Sequence, residues 1–179
     1  MTFLLFACNQ SSTSSEETSS EVKADKPNVP TNMHGLTPNY SASFVMDSPE
    51  NTETVLALWS EWKDGDLSKS RVHFADTVAF YLPDGTSMVG ATDSLLKIMQ
   101  EYRNQYTSMG VQIDAIFSAK STDRNENWVA VWGVEMPTDK QGRTDTTSLE
   151  ENWRFNNEGK VNLMFQYARK GMIPPPPAQ

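Results

Sequence analysis

Cysteine is almost missing: Cys8 is the single one in 179 residues, so the chain cannot close an internal disulfide. Histidine is nearly as scarce, with His34 and His73 alone. One histidine in the folding region and no cysteine there cannot furnish a typical zinc site. The acidic pairs Asp64/Asp66 and Glu150/Glu151 lack the spacing and central glycine of a calcium loop. No glycine-rich stretch runs into Lys-Ser or Lys-Thr to cradle a phosphate. No metal and no cofactor are expected. Positive charge is short as well, 15 Lys and Arg against 23 Asp and Glu, for a net charge of −8 and a pI near 4.7. That balance argues against nucleic acid, whose phosphates need a cationic face.

Basic residues are also absent before Lys23, where the chain opens on seven residues leading to Cys8. The run Leu5-Phe6-Ala7-Cys8 resembles a bacterial lipobox, in which the cysteine is lipidated and becomes the new N terminus. A secretory leader carries a basic stretch ahead of 7–15 apolar residues. The leader is therefore expected to be truncated here, with its true start upstream. The alternative is a buried cysteine in a chance apolar terminus. Residues 9–20 read NQSSTSSEETSS, and prolines at 27, 30 and 38 keep the following stretch extended. Four regions follow: 1–8 as leader end and lipobox, 9–46 as a disordered tether, 47–171 as one domain, and 172–179 as a proline-rich tail. The implied location is the cell envelope, with membrane attachment through palmitate and its companion acyl chains on Cys8.

What is present is a well-patterned domain. With 37% hydrophobic and 10% aromatic residues, a core for about 120 residues can form. Ser48 and Pro49 signal a helix start, and Val55, Leu58, Trp59 and Trp62 fall on one helical stripe before Gly65. A short second helix with Leu67 and Phe74 in the core is expected next, then a strand over 77–82. Pro83-Asp84-Gly85 turns the chain back into 86–89. A third helix is expected from Thr92 or Asp93, with Leu95, Ile98 or Met99, Tyr102 and Tyr106 on one face. Strands are predicted over 111–121, 128–137, 144–155 and 161–169, joined by turn-prone segments and hence antiparallel. The class is α+β.

Trp62-Lys-Asp-Gly-Asp-Leu67, Phe74-Ala-Asp76 and Phe80-Tyr-Leu-Pro-Asp-Gly85, in that order, resemble the nuclear transport factor 2-like (NTF2-like) superfamily and its SnoaL-like branch. Gly90-Ala-Thr92 before the third helix and the closing hairpin 153–161 are similar to the family's pattern. The resemblance covers about residues 49–170. It implies an NTF2-like cone, a curved antiparallel β-sheet wrapped around three N-terminal helices, with an apolar pocket. It also implies a homodimer through the sheet. Its members include isomerases, cyclases and dehydratases as well as domains without activity.

Strand alternation puts Trp128, Ala130, Trp132, Val134 and Met136 on one face. Leu149, Glu151, Trp153 and Phe155 form a second such row, and Val161, Leu163, Phe165 and Tyr167 a third. These rows are expected to line the concave side. Glu151 is the carboxylate among them, either a pocket base with Tyr81, Tyr102 or Tyr167 as donor, or a residue at the rim. His73 is a second candidate base or a surface residue. The candidate catalytic set is thus Glu151, Tyr167 and His73. Trp59, Tyr81, Tyr102, Trp132, Trp153 and Phe165 are the candidate lining for a small apolar ligand. Three functions stay open: ligand or partner binding in the cone, isomerase or dehydratase chemistry on a pocket carboxylate, and a structural dimerisation module.

Overall fold

The computed structural model of the chain describes residues 29–171. Cys8 with its lipobox, most of the expected tether and the proline-rich tail lie outside the described residues. Within them the elements run β1 (Phe44–Met46), α1 (Glu50–Asp64), a 3₁₀ turn (Ser70–His73), β2 (Phe74–Tyr81), β3 (Ser87–Ala91) and α2 (Thr92–Arg103). Four long strands follow, β4 (Tyr106–Ser121), β5 (Asn127–Asp139), β6 (Thr147–Phe155) and β7 (Val161–Lys170). No helix among the described residues is long and apolar enough to cross a membrane.

α1 starts one residue later than a Ser48 cap would place it. Pro49 occupies the cap position and its carbonyl takes the first helical bond, from Glu53 N–H at 3.1 Å. Gly65 ends the helix at φ 83°, in the left-handed region open to glycine. Val55, Leu58 and Trp59 are buried, so the stripe read from the sequence is the face that packs on the sheet. The expected second helix is a single 3₁₀ turn, too short for a full apolar face, and Phe74 already belongs to β2. The expected third helix stops at Arg103, because Tyr106 opens β4. Its buried side is Leu95 and Leu96, while Ile98 and Tyr102 are half exposed.

One seven-stranded sheet has the order β1-β4-β5-β6-β7-β2-β3. Neighbours that are consecutive in sequence pair antiparallel, as short turns require. β2 and β7 pair parallel, which makes the sheet mixed. That pairing joins segments about 85 residues apart, and no turn signal can report on it. Val55, Leu58, Trp59, Phe74, Val78, Phe80, Val129, Val131, Trp153, Phe155 and Met164 meet in one core between the helices and the sheet's concave face.

Two of the expected inward rows face the other way. On β5, Val129 and Val131 are fully buried, whereas Trp132 is 47% exposed. Both parities of this strand are apolar, so alternation alone could not choose. Gly133 lies on the buried row and decides the matter, because a Cβ there would sit 2.9 Å from the Trp59 ring. On β7 the register shifts at Arg154/Phe155. Val161 faces inward beside Phe155, but beyond the irregularity Met164 and Gln166 stand opposite Trp153 and Glu151. Phe165 and Tyr167 therefore lie on the outer face, since one extra residue exchanges the two sides of a strand.

Candidate functional site

The buried carboxylate is Glu151, 4% exposed at the floor of the cone. Trp59 Nε1, from α1, donates to its Oε2 at 2.7 Å, and Trp153 Nε1 donates to the same oxygen at 3.0 Å. Gln166 Nε2 donates to Oε1 at 2.7 Å. Burial raises the pKa of this carboxyl, and the three N–H donors oppose the rise. β6 faces its odd-numbered residues inward at this point, which puts Glu151 beneath α1 rather than at the rim. With both oxygens engaged and buried tryptophans on two sides, it has no open approach for a substrate. Its part is to hold α1 on the sheet and to place negative charge inside the cone.

That charge is felt by Glu135, on the inward row of β5 and only partly buried. Burial first, and Glu151 second, push the Glu135 carboxyl up to about 7, against weaker opposing effects of the Trp62 indole and Arg103. Trp62 Nε1 is buried and directed at the Glu135 carboxyl, whose pKa it lowers as a donor, although outside strict hydrogen-bond geometry. Trp62 stacks on Tyr102 with ring centroids 6.2 Å apart. Tyr102 and Tyr106 join hydroxyl to hydroxyl at 3.1 Å. The Tyr102 pKa is raised by that bond, by burial and, more weakly, by the charges of Tyr106, Glu135 and Asp84.

Arg103 fixes this rim. Its side chain, 5% exposed as a residue, donates to Trp62 O at 2.7 Å, Lys63 O at 2.9 Å and Tyr106 O at 3.3 Å. A cation thus closes the C-terminal end of α1, where orphan carbonyls and the helix dipole favour positive charge. The same side chain sets the start of β4 and hence Tyr106. Tyr106 also lines a concavity of about 360 Å³ with Pro137, Asp139 and Arg143. A half-buried acid near neutrality, the indole N–H directed at it and a hydroxyl pair therefore share one end of the cone.

The other expected residues fall elsewhere. His73 lies 3.8 Å from Glu61, whose other oxygen accepts from Ser70 Oγ at 2.5 Å. This group sits around the 3₁₀ turn, away from the rim. Trp59 and Trp153 are in the cone, but as donors to Glu151. Tyr81 and Phe165 stack on the outer face at 5.0 Å, with Tyr40 set edge-on to Phe165. Trp132 and Tyr167 also lie outside. Of the expected ligand-lining set, Tyr102 alone reaches the rim. Glu135, Trp62, Tyr106 and Arg103 were not singled out in the sequence as site residues. The inward parity of Gly133 was the signal that could have found Glu135, two residues further on the same row.

No family model matches the sequence, and no curated protein matches it. Solved structures do match. The candidate polyketide cyclase IdmH from Streptomyces antibioticus shares 18% identity at a TM-score of 0.52, over 66% of this chain and 91% of that one. An NTF2-like protein of unknown function from Burkholderia pseudomallei shares 20% at 0.53, over 65% and 88%. The chain has the fold of these structures, the NTF2-like cone. SalBIII, an epoxide hydrolase/cyclase-like enzyme with a role in pyran ring formation in the polyether salinomycin, is similar in structure at 15% identity and a TM-score of 0.53, over 70% and 95%. At these identities the likeness establishes the architecture. In this chain the cone's floor is sealed and its polar groups gather at the rim.

Proposed function

We propose that this chain is an envelope-tethered NTF2-like domain of the SnoaL-like type. In this reading it binds a small carbonyl-bearing molecule at the rim of its cone and moves a proton there. Glu135 is the general base. Its conjugate acid near neutrality gives both a usable ionised fraction and driving force for proton transfer. The Tyr102–Tyr106 hydroxyl pair is the donor for the oxyanion that develops as the proton leaves carbon, and the Trp62 N–H steadies the Glu135 carboxylate. The reaction class is abstraction of a proton next to a carbonyl, as in an isomerase or dehydratase. Glu151 is a positioning residue whose charge keeps the Glu135 proton affinity high. Cyclase and epoxide hydrolase/cyclase-like enzymes built on the same fold are compatible with acid–base work in a cone of this kind. The tether follows from Leu5-Phe6-Ala7-Cys8.

The observation that carries the reading is Glu135, a half-buried carboxyl poised near neutrality beside the Trp62 indole and the Tyr102–Tyr106 hydroxyl pair. Carbon-detected NMR of the side-chain carboxyls, titrated from pH 4 to 9, reads it directly. A Glu135 midpoint between 6 and 7.5 supports the acid–base role. A midpoint near the ordinary 4.5 sinks it. A companion measurement follows deuterium exchange into small aryl ketones: Glu135→Gln should lose any catalysed exchange by about a hundredfold, the usual worth of a general base.

A further inference from the structure

Three aromatic side chains from three different elements are layered over the acid at the cone's rim. Trp62 stands in the last turn of α1, with its Nε1 buried and directed at the Glu135 carboxyl. Tyr102, in the last turn of α2 and 51% exposed, stacks on the Trp62 ring at 6.2 Å between centroids and 13° between planes. Tyr106, the first residue of β4, meets Tyr102 edge-on at 5.6 Å and hydroxyl to hydroxyl at 3.1 Å. From water inward the order is tyrosine, indole, carboxyl. We propose that the Trp62 ring is a lid over the rim site, latched shut by its N–H while Glu135 is ionised and released when that carboxyl is protonated. The lid rests on the role given to Glu135 above, and makes Trp62 a positioning residue for it.

A hydrogen bond to an ionised acceptor is roughly twice as strong as one to a neutral group, so an indole N–H distinguishes carboxylate from carboxylic acid. Once the charge is gone, ring stacking on Tyr102 alone holds the indole. The backbone beneath it stays fixed. Arg103 donates to Trp62 O at 2.7 Å and Lys63 O at 2.9 Å, and Gln100 Nε2 donates to Gly65 O at 2.9 Å. Gln100 Oε1 accepts from Leu67 N–H at 2.9 Å. With the end of α1 pinned in this way, opening is a change of the Trp62 rotamer and not a shift of the helix. The charged and titratable groups acting on Glu135 are Glu151 from β6, which opposes its ionisation, and Arg103 from α2, which favours it. Tyr102, Tyr106 and Asp84 complete the set, and the Tyr102 hydroxyl, its pKa pushed up, keeps its proton. The cross-strand neighbours of Glu135, Val111 on β4 and Thr147 on β6, are uncharged. Glu151 has Trp59, Trp153 and Gln166 as its own donors, so its ionisation is felt at those side chains, whereas Trp62 follows Glu135. The latch also couples entry to base strength. Because the indole favours the ionised carboxyl, a ligand that turns the ring aside leaves Glu135 more basic as it arrives.

NMR of the full chain reads the lid without a substrate. As pH rises, the Trp62 indole N–H proton should move downfield with the same midpoint as the Glu135 carboxyl. In Glu135→Gln it should keep its low-pH position throughout. Trp62→Phe retains a ring to stack on Tyr102 and removes the donor, so the Glu135 midpoint should rise by about half a pH unit. The neutral nitroxide 4-hydroxy-TEMPO then measures access. Its broadening of the Glu135 γ-methylene protons should be greater below the midpoint than above it by about twofold in the wild type, and equal on both sides in Trp62→Phe. A Glu135 midpoint near 4.5 overturns base and lid together. A midpoint near 7 with a Trp62 signal that ignores it, or with nitroxide access unchanged across it, overturns the lid and leaves the base standing. A Glu135 midpoint unmoved or lowered in Trp62→Phe likewise overturns the lid, because the indole would then do nothing for the charge.

Discussion

Replacing Glu135 by glutamine tests the electrostatics of the rim without a substrate. The amide keeps the shape and removes the titration. A carboxyl at about 7 in the folded chain and 4.5 in the unfolded one binds its proton more tightly when folded. The folded state is then favoured most below pH 4.5, and that advantage is lost as pH rises through 7. Two and a half pH units correspond to about 3 kcal/mol, and partial exposure of Glu135 trims this to about 2 kcal/mol. Glu151, raised in the same direction, adds its own slope and persists in the variant. Urea denaturation of the full chain at pH 4.5, 6, 7 and 8 is the assay. With a slope of roughly 2 kcal/mol per molar, Glu135→Gln should leave the midpoint near wild type at pH 4.5 and raise it by about 1 M at pH 8. Two parallel curves across that range would refute the reasoning, since Glu135 would then titrate as an ordinary surface acid.

Three further outcomes are expected. Gly133→Ala brings a Cβ to 2.5 Å from Gln112 O and 2.9 Å from the Trp59 ring, which should displace Trp59 from Glu151 and cost about 3 kcal/mol; its fluorescence should shift with the loss of stability. Arg103→Ala strips a buried cation from three carbonyls and should cost about 3 kcal/mol, with amide exchange accelerating first at residues 61–65 and 106. Trp132→Ala, by contrast, should change stability by about 1 kcal/mol or less, because half of that side chain is already in water; a loss above about 3 kcal/mol would place it in the core instead.

The helix of residues 50–64, the Pro83–Gly85 turn and the four long strands were legible because each is written in local chemistry. Pro49 and Gly65 bound a 3.6-residue stripe, and turn residues separate the strands. The inward position of Glu151 was legible for the same reason, flanked by Leu149 and Trp153 on one parity. The resemblance of ordered motifs along residues 49–170 pointed to the cone itself. Other features were not local. The parallel contact of β2 with β7 joins distant segments, and the choice between the Val129/Val131 and Trp128/Trp132 rows depended on which one could admit Trp59. The irregularity at Arg154/Phe155 moved Phe165 and Tyr167 to the outer face, as a one-residue shift must. The sequence by itself determined the elements, their order and the acidic, cysteine-poor character that excludes whole classes of chemistry. Only the tertiary structure decided that Glu151 is sealed while Glu135 is poised, because a carboxyl's proton affinity depends on neighbours from α1, α2 and β6 that come together only in the fold.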